Sequence, residues 1–143
     1  MAEISIGAAA EASGVKVTTI RFYEARGMMP EPARTSAGRR VYGPDQVARL
    51  RFIRHARALG FDLEDIAALL ALSDDPGQDC SAADSIARAQ LAQVEARIAQ
   101  LQALAAELAR MVQHCPGGAV AECRVIETLG NHALCVDERH ELP

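Results

Sequence analysis

The sequence has no tryptophan, and only 3% of its residues are aromatic. Aromatic side chains supply much of the buried area in large cores, so a large globular core is not expected. Long apolar runs are also absent. None approaches the roughly 20 residues of a membrane span, and the N-terminus has no basic segment leading into an apolar one. The expectation is therefore a cytoplasmic protein with no membrane partner, in a compartment where structural disulfides are rare. No phosphate-binding glycine loop, dinucleotide fingerprint or assembled nucleophile, base and orienting residue is found, which argues against an enzyme.

Of what is present, alanine is abundant, so helix should dominate. The four cysteines read first as small buried hydrophobes and second as metal or redox ligands. The net charge of −4 looks wrong for a nucleic-acid binder, but it conceals a segregation. From Lys16 to Arg57 there are ten Lys/Arg against three Asp/Glu, a net of +7. From Phe61 onward there are five Arg against fourteen acids, a net of −9. Such asymmetry suggests a basic head aimed at a polyanion and an acidic body with another task.

Along the chain, "SIGAAAEASG" reads as a short helix capped by Ser5 and ended by Gly14. A turn leads into "TTIRFYEAR", closed by Gly27, so helix, turn and helix occupy fewer than thirty residues. "PEPARTSAGRRVYGP" holds three prolines and two glycines, which bars a helix and leaves a hairpin or wing at its Arg-Arg-Val-Tyr end. A third helix begins near Pro44 with Val47, Leu50, Ile53 and Leu59 on its apolar face. A fourth, capped by Asp62, carries Leu63, Ile66, Leu69 and Leu70.

The head is thus expected over residues 1–73, a hinge loop over 74–80, one long helix over 81–113, and a loop, short helix and tail over 114–143. In the long helix Ala87, Leu91, Val94, Ile98, Leu101, Ala105, Leu108 and Val112 alternate by four and three, a seam of coiled-coil type. At about 1.5 Å per residue that helix is roughly 45–50 Å long, more than a small domain can cover. A second helix should lie along it, with packing on the chain's own head as the alternative.

The stretch "TIRFYEARGMMPEPARTSAGRRVYGPDQVARLRFIRHARALGFDLEDIAALL" resembles the MerR family of transcriptional regulators, and the likeness continues to about Leu129. The resemblance implies an all-α fold with a small β wing: a winged helix-turn-helix head and a long antiparallel coiled-coil helix that forms a homodimer. It also implies double-stranded promoter DNA as a partner, distorted on effector binding until RNA polymerase can engage it. Mapped by motif, Lys16, Thr18, Thr19, Arg21 and Tyr23 fall at the recognition helix. Arg34, Arg39, Arg40 and Tyr42 fall on the wing, and Arg54 and Arg57 on the following helix near the DNA backbone. Guanidinium forks suit phosphate oxygens and guanine edges. Each arginine alone could equally be a solvated surface charge; their concentration carries the inference. Arg39 is a departure, since relatives often have an aromatic residue there.

Cys80 and Cys115 bracket the long helix, so one chain holds them about 50 Å apart. In an antiparallel dimer, however, Cys80 of one subunit meets the Cys115–Cys123 loop of the other, and twofold symmetry makes two equivalent sites. Three thiolates favour soft or borderline ions: mercury, lead and cadmium, or zinc with a fourth donor. His114, His132, Cys135 and His140 are candidates for that donor, although each histidine also reads as a solvated polar residue. The loop length is similar to that of copper(I) sensors in the family, which usually carry Ser where Cys80 stands. A copper(I) site on Cys115 and Cys123, or a redox-sensing disulfide between them, is the alternative.

Overall fold

The computed structural model describes residues 3–114 and 117–131. Packing divides the chain into two compact units, Met1–Ile86 and Ala87–Pro143.

In the first unit, helix α1 (Ile6–Ser13) starts where the Ser5 hydroxyl accepts a hydrogen bond from the Ala8 amide, and it ends at Gly14, whose φ of 75° is left-handed. Helix α2 (Val17–Ala25) follows after a short turn. The wing is a minimal antiparallel pair, β1 (Ala33–Arg34) and β2 (Arg40–Val41), with Ala33 opposite Val41 and Arg34 opposite Arg40. Ile4 and Tyr42 exchange two further backbone hydrogen bonds, which tie the start of the chain to the base of the wing. Helix α3 (Pro44–Ala58) opens with Pro in its first turn, and the Gln46 side chain accepts from the Gly43 amide at 2.7 Å. Helix α4 (Leu63–Ser73) starts on Asp62, which accepts from the Asp65 amide at 2.7 Å.

These elements enclose one core in which Ile20, Tyr42, Leu50, Ile53 and Ile66 are essentially fully buried. Val47, Leu50 and Ile53 occupy the expected buried face of α3, but Leu59 does not: it is the helix C-cap and stays exposed. Six residues past Ile53 is well off the same face at 100° per residue, and Ala56 fills that place instead. Two arginines serve as struts inside the head. Arg49 donates from Nε to the Met28 carbonyl at 2.7 Å and from Nη1 to both Asp74 carboxylate oxygens. Arg51 donates from Nε and Nη2 to the Ala12 carbonyl near the end of α1.

Helix α5 (Ser81–Gln113) runs unbroken for 33 residues from the first unit into the second. Along it Leu91, Val94, Ile98, Leu101, Leu108 and Val112 are 41–71% exposed. In the second unit Met111 and Thr128 are buried, and the buried Glu107 is paired with Arg110 one turn on. After a 3-10 turn at Val120–Glu122, helix α6 (Arg124–Gly130) begins on Cys123. The winged helix-turn-helix head and the long C-terminal helix thus match the expected fold class, mostly helical with a two-stranded wing.

Candidate nucleic-acid interface and thiol site

Helix α2 buries Ile20 and Tyr23, and this fixes its opposite side as an outward stripe of Thr18, Arg21, Phe22 and Arg26. The Arg26 guanidinium lies over the Phe22 ring, 5.2 Å from its centre. Sequence reading singled out Thr18 and Arg21 but passed over Phe22 and Arg26. Their spacing of four and eight residues from Thr18 was the available signal.

Beside this stripe the fold brings together residues far apart in the chain. Lys16 at the cap of α2, Thr19 and Tyr23 within it, and Arg54 and Arg57 from α3 line a concavity of about 310 Å³ with Gly14 and Val15. Tyr23 is only 6% exposed, so most of its ring belongs to the core. Gly14 also backs Arg54: a Cβ there would stand 3.0 Å from the guanidinium carbon. Three cationic side chains with a hydroxyl and a phenol around one hollow suit a phosphate oxygen.

The wing residues divide into two sets. Arg34 and Arg39 are exposed near the hairpin turn, and Arg34 Nη1 donates to the Gly38 carbonyl at 2.8 Å. Tyr42 requires a correction. It was expected to reach DNA from the wing, but it is 1% exposed and its hydroxyl donates to Glu24 Oε1 at 3.0 Å. The strand alternation that turns Tyr42 inward packs its ring into the core. Arg40 is half-buried and faces the same carboxylate, with Nε 3.6 Å from Glu24 Oε2.

Burial, and then the hydrogen bond to Glu24, push the Tyr42 phenol from 10.0 up to about 12. The folded head therefore favours the protonated ring. Its contribution to stability is intact below pH 10 and is lost as the pH rises toward about 12. We expect a late phenolate absorbance step near the upper value that is missing in Tyr42→Phe. A variant titration curve identical to wild type would contradict the burial described here.

The thiols lie elsewhere. Cys80 is a free, exposed thiol immediately before α5, on the wall of a concavity of about 370 Å³ lined by Phe52, Leu69, Leu72, Pro76 and Ala83. Cys123 is half-buried at the start of α6. His114 is exposed, with Nδ1 2.8 Å from the Arg110 carbonyl. A carbonyl can only accept, so Nδ1 donates this bond and Nε2 is the ring nitrogen not engaged in it. Cys115, His132, Cys135 and His140 lie outside the described residues. Among the described residues no three His, Cys, Asp or Glu side chains of one chain gather into a metal-holding group, and no helix is long and apolar enough to cross a membrane.

Comparison with known proteins adds to this geometry. Residues 4–73 match the family model described as MerR HTH family regulatory protein, and residues 47–111 match the one described as MerR, DNA binding. Heavy metal-dependent transcription regulator 2 of Rhizobium meliloti (strain 1021) is 38% identical over 94% of this chain and 91% of its own length. Among solved structures, the regulator PbrR691 of Ralstonia metallidurans CH34 in complex with lead(II) superposes with a TM-score of 0.76. It shares 35% identity and covers 88% of this chain and 98% of that one. The regulator MerR of Bacillus megaterium MB1 in complex with mercury(II) gives a TM-score of 0.63 at 30% identity, covering 86% and 95%.

Proposed function

The chain belongs to the MerR family of helix-turn-helix regulatory proteins, and from that premise we propose that it is a metal-responsive transcriptional activator acting on promoter DNA as a homodimer. It is a regulator by family and not an enzyme. The cytoplasm, where the promoter lies, is its place of action.

One observation carries the reading. Basic and hydroxyl side chains distant in sequence line a single hollow beside α2, whereas the soft donor Cys80 opens onto a different, largely apolar concavity. In this reading Thr18 and Arg21 meet base edges. Lys16, Thr19, Tyr23, Arg54 and Arg57 hold phosphates, and Arg34, Arg39 and Arg40 extend the contact along the wing. Cys80 of one protomer and Cys115 and Cys123 of the other supply the ion's thiolates. The exposure of the Cys80 thiol and the softness of sulfur fit zinc, cadmium, lead or mercury. The metal-bound structures of the lead and mercury relatives support the same class. His114 fits as a fourth donor for zinc, since a ligating histidine typically donates its other N–H to an oxygen acceptor, as Nδ1 does here. When bound, the ion supplies a cross-link between the two protomers. The linked dimer distorts the promoter so that RNA polymerase can engage it. Head, hinge and dimer helix divide near residues 73 and 80, and the loop and tail from 114 onward complete the effector site.

Gel shifts on a promoter duplex, with transcription measured across the candidate ions, test the whole reading. Arg21→Ala should weaken binding to the specific site by about 1–3 kcal/mol if its fork holds a base edge. Arg54→Ala should lower affinity for every sequence and flatten the salt dependence. Unchanged binding by both variants, with and without metal, would remove the head from the DNA interface.

A further inference from the structure

The wing is too small to hold its own angle. Two strands of two residues each make few ladder bonds, and an isolated hairpin is marginal in water even when longer. A side chain of α2 bridges the gap. Glu24 accepts the Tyr42 hydroxyl on Oε1 at 3.0 Å and presents Oε2 to Arg40 Nε at 3.6 Å. Its side chain is 9% exposed, so the carboxylate meets Tyr42 and Arg40 in a dry setting where charge acts strongly. Glu24 Oε2 and Arg40 Nε are also the buried side-chain polar atoms among the described residues that lack a hydrogen bond. They face each other a few tenths of an ångström beyond hydrogen-bond range, held by charge.

A carboxylate in a DNA-binding head opposes phosphate by its charge alone. We propose that Glu24 is a positioning residue for DNA recognition: it couples α2 to the wing by holding the Arg40 guanidinium through its Nε edge, so that the other N–H groups are aimed at a phosphate. Side-chain entropy explains why aim matters. A free arginine loses rotamer freedom on docking, much of which an arginine already held in place has given up on folding. The proposal rests on the reading above that Arg40 meets DNA.

Charge and position make opposite forecasts for Glu24→Gln, which keeps an acceptor for the Tyr42 hydroxyl. Charge alone makes the head more basic and tightens binding. Positioning frees Arg40 and weakens it. The measurement uses the full-length dimer and a duplex selected by the wild-type protein from random DNA, with anisotropy titrations over a salt series. Arg40→Ala is expected to weaken binding about five- to tenfold and to lower the salt slope by about one. Glu24→Gln should do most of the same. The double variant should be no weaker than Arg40→Ala alone, because both changes remove one contact. Glu24→Asp, which retains the charge, should recover part of the salt slope.

Tighter binding by Glu24→Gln, or losses that add in the double variant, would overturn the positioning role. If Arg40→Ala leaves both affinity and slope unchanged, the wing contact itself is wrong and the proposal falls with it. That outcome is distinct from an effective Arg40→Ala beside a silent Glu24→Gln, which refutes the positioning alone.

Discussion

Placing aspartate at both Ile98 and Leu101 is expected to convert the protein from a dimer into a monomer at micromolar concentration. Leu91, Val94, Ile98, Leu101, Leu108 and Val112 of α5 are 41–71% exposed on the single chain, and an apolar stripe of that kind marks an interaction surface. Their alternation by three and four residues is the pattern that lets one helix seat against another. Twofold symmetry doubles each change, so the two substitutions put four carboxylates into the dimer seam. At about 3 kcal/mol for each buried charge left unpaired, the sum exceeds what most dimer interfaces can absorb. Helix content should fall only slightly in the separated chains, since aspartate costs less than about 0.7 kcal/mol in helix propensity. Sedimentation of the purified variant decides the matter, and a double variant still sedimenting as a dimer would refute the seam. Loss of the dimer should also abolish the metal response, because the proposed site draws thiolates from both protomers.

Cys80→Ser is expected to change which ions the protein answers to. The substitution removes one sulfur and leaves Cys115 and Cys123 as a two-thiolate pair. Divalent ions are under-coordinated by two thiolates, whereas copper(I), a soft ion, is content with the pair in a nearly linear arrangement. Changes to groups that merely support a ligand already cost 10–100-fold, so loss of a ligand should reduce divalent affinity by at least about 100-fold. The variant should lose its response to zinc, cadmium, lead and mercury while keeping or gaining one to copper(I). Cys115→Ser and Cys123→Ser should silence both responses, and DNA binding by the metal-free dimer should survive all three changes. Two measurements bear on this: promoter transcription across the same ions, and direct ion titration of the reduced protein. Full retention of the cadmium, lead and mercury responses would reduce Cys80 to an ordinary surface thiol and move the copper(I) reading to the front. A redox sensor would instead respond to oxidant without any ion and would be indifferent to Cys80→Ser.

Much of this architecture was legible in the sequence because it depends on local chemistry. Ser5 and Asp62 start helices, and Gly14 ends one through a left-handed φ of 75°. Pro44 and Gly43 stop the wing and open α3, and the long run without Pro or Gly becomes a single helix of 33 residues. Capping, proline exclusion and apolar period act within a turn or two, so a reader of the sequence can apply them without knowing the fold. Charge segregation was visible for the same reason, as a sum over neighbours.

What each charge does was not visible. Of the basic residues in the head, Arg49 and Arg51 are spent on the Met28 and Ala12 carbonyls, while Arg54 and Arg57 reach the concavity at α2. These arginines lie within nine positions of one another on α3, and only the packing partners of each face separate the struts from the side chains that line the concavity. Tyr42 looked like a DNA contact by motif, yet burial and Glu24, eighteen positions away, claim its hydroxyl. The Nδ1 hydrogen bond of His114 likewise rests on a carbonyl that the helix end brings to its ring. Local free energies determine where helices begin and end. Which polar group meets which other depends on long-range closure of the chain, and only the tertiary structure decided that.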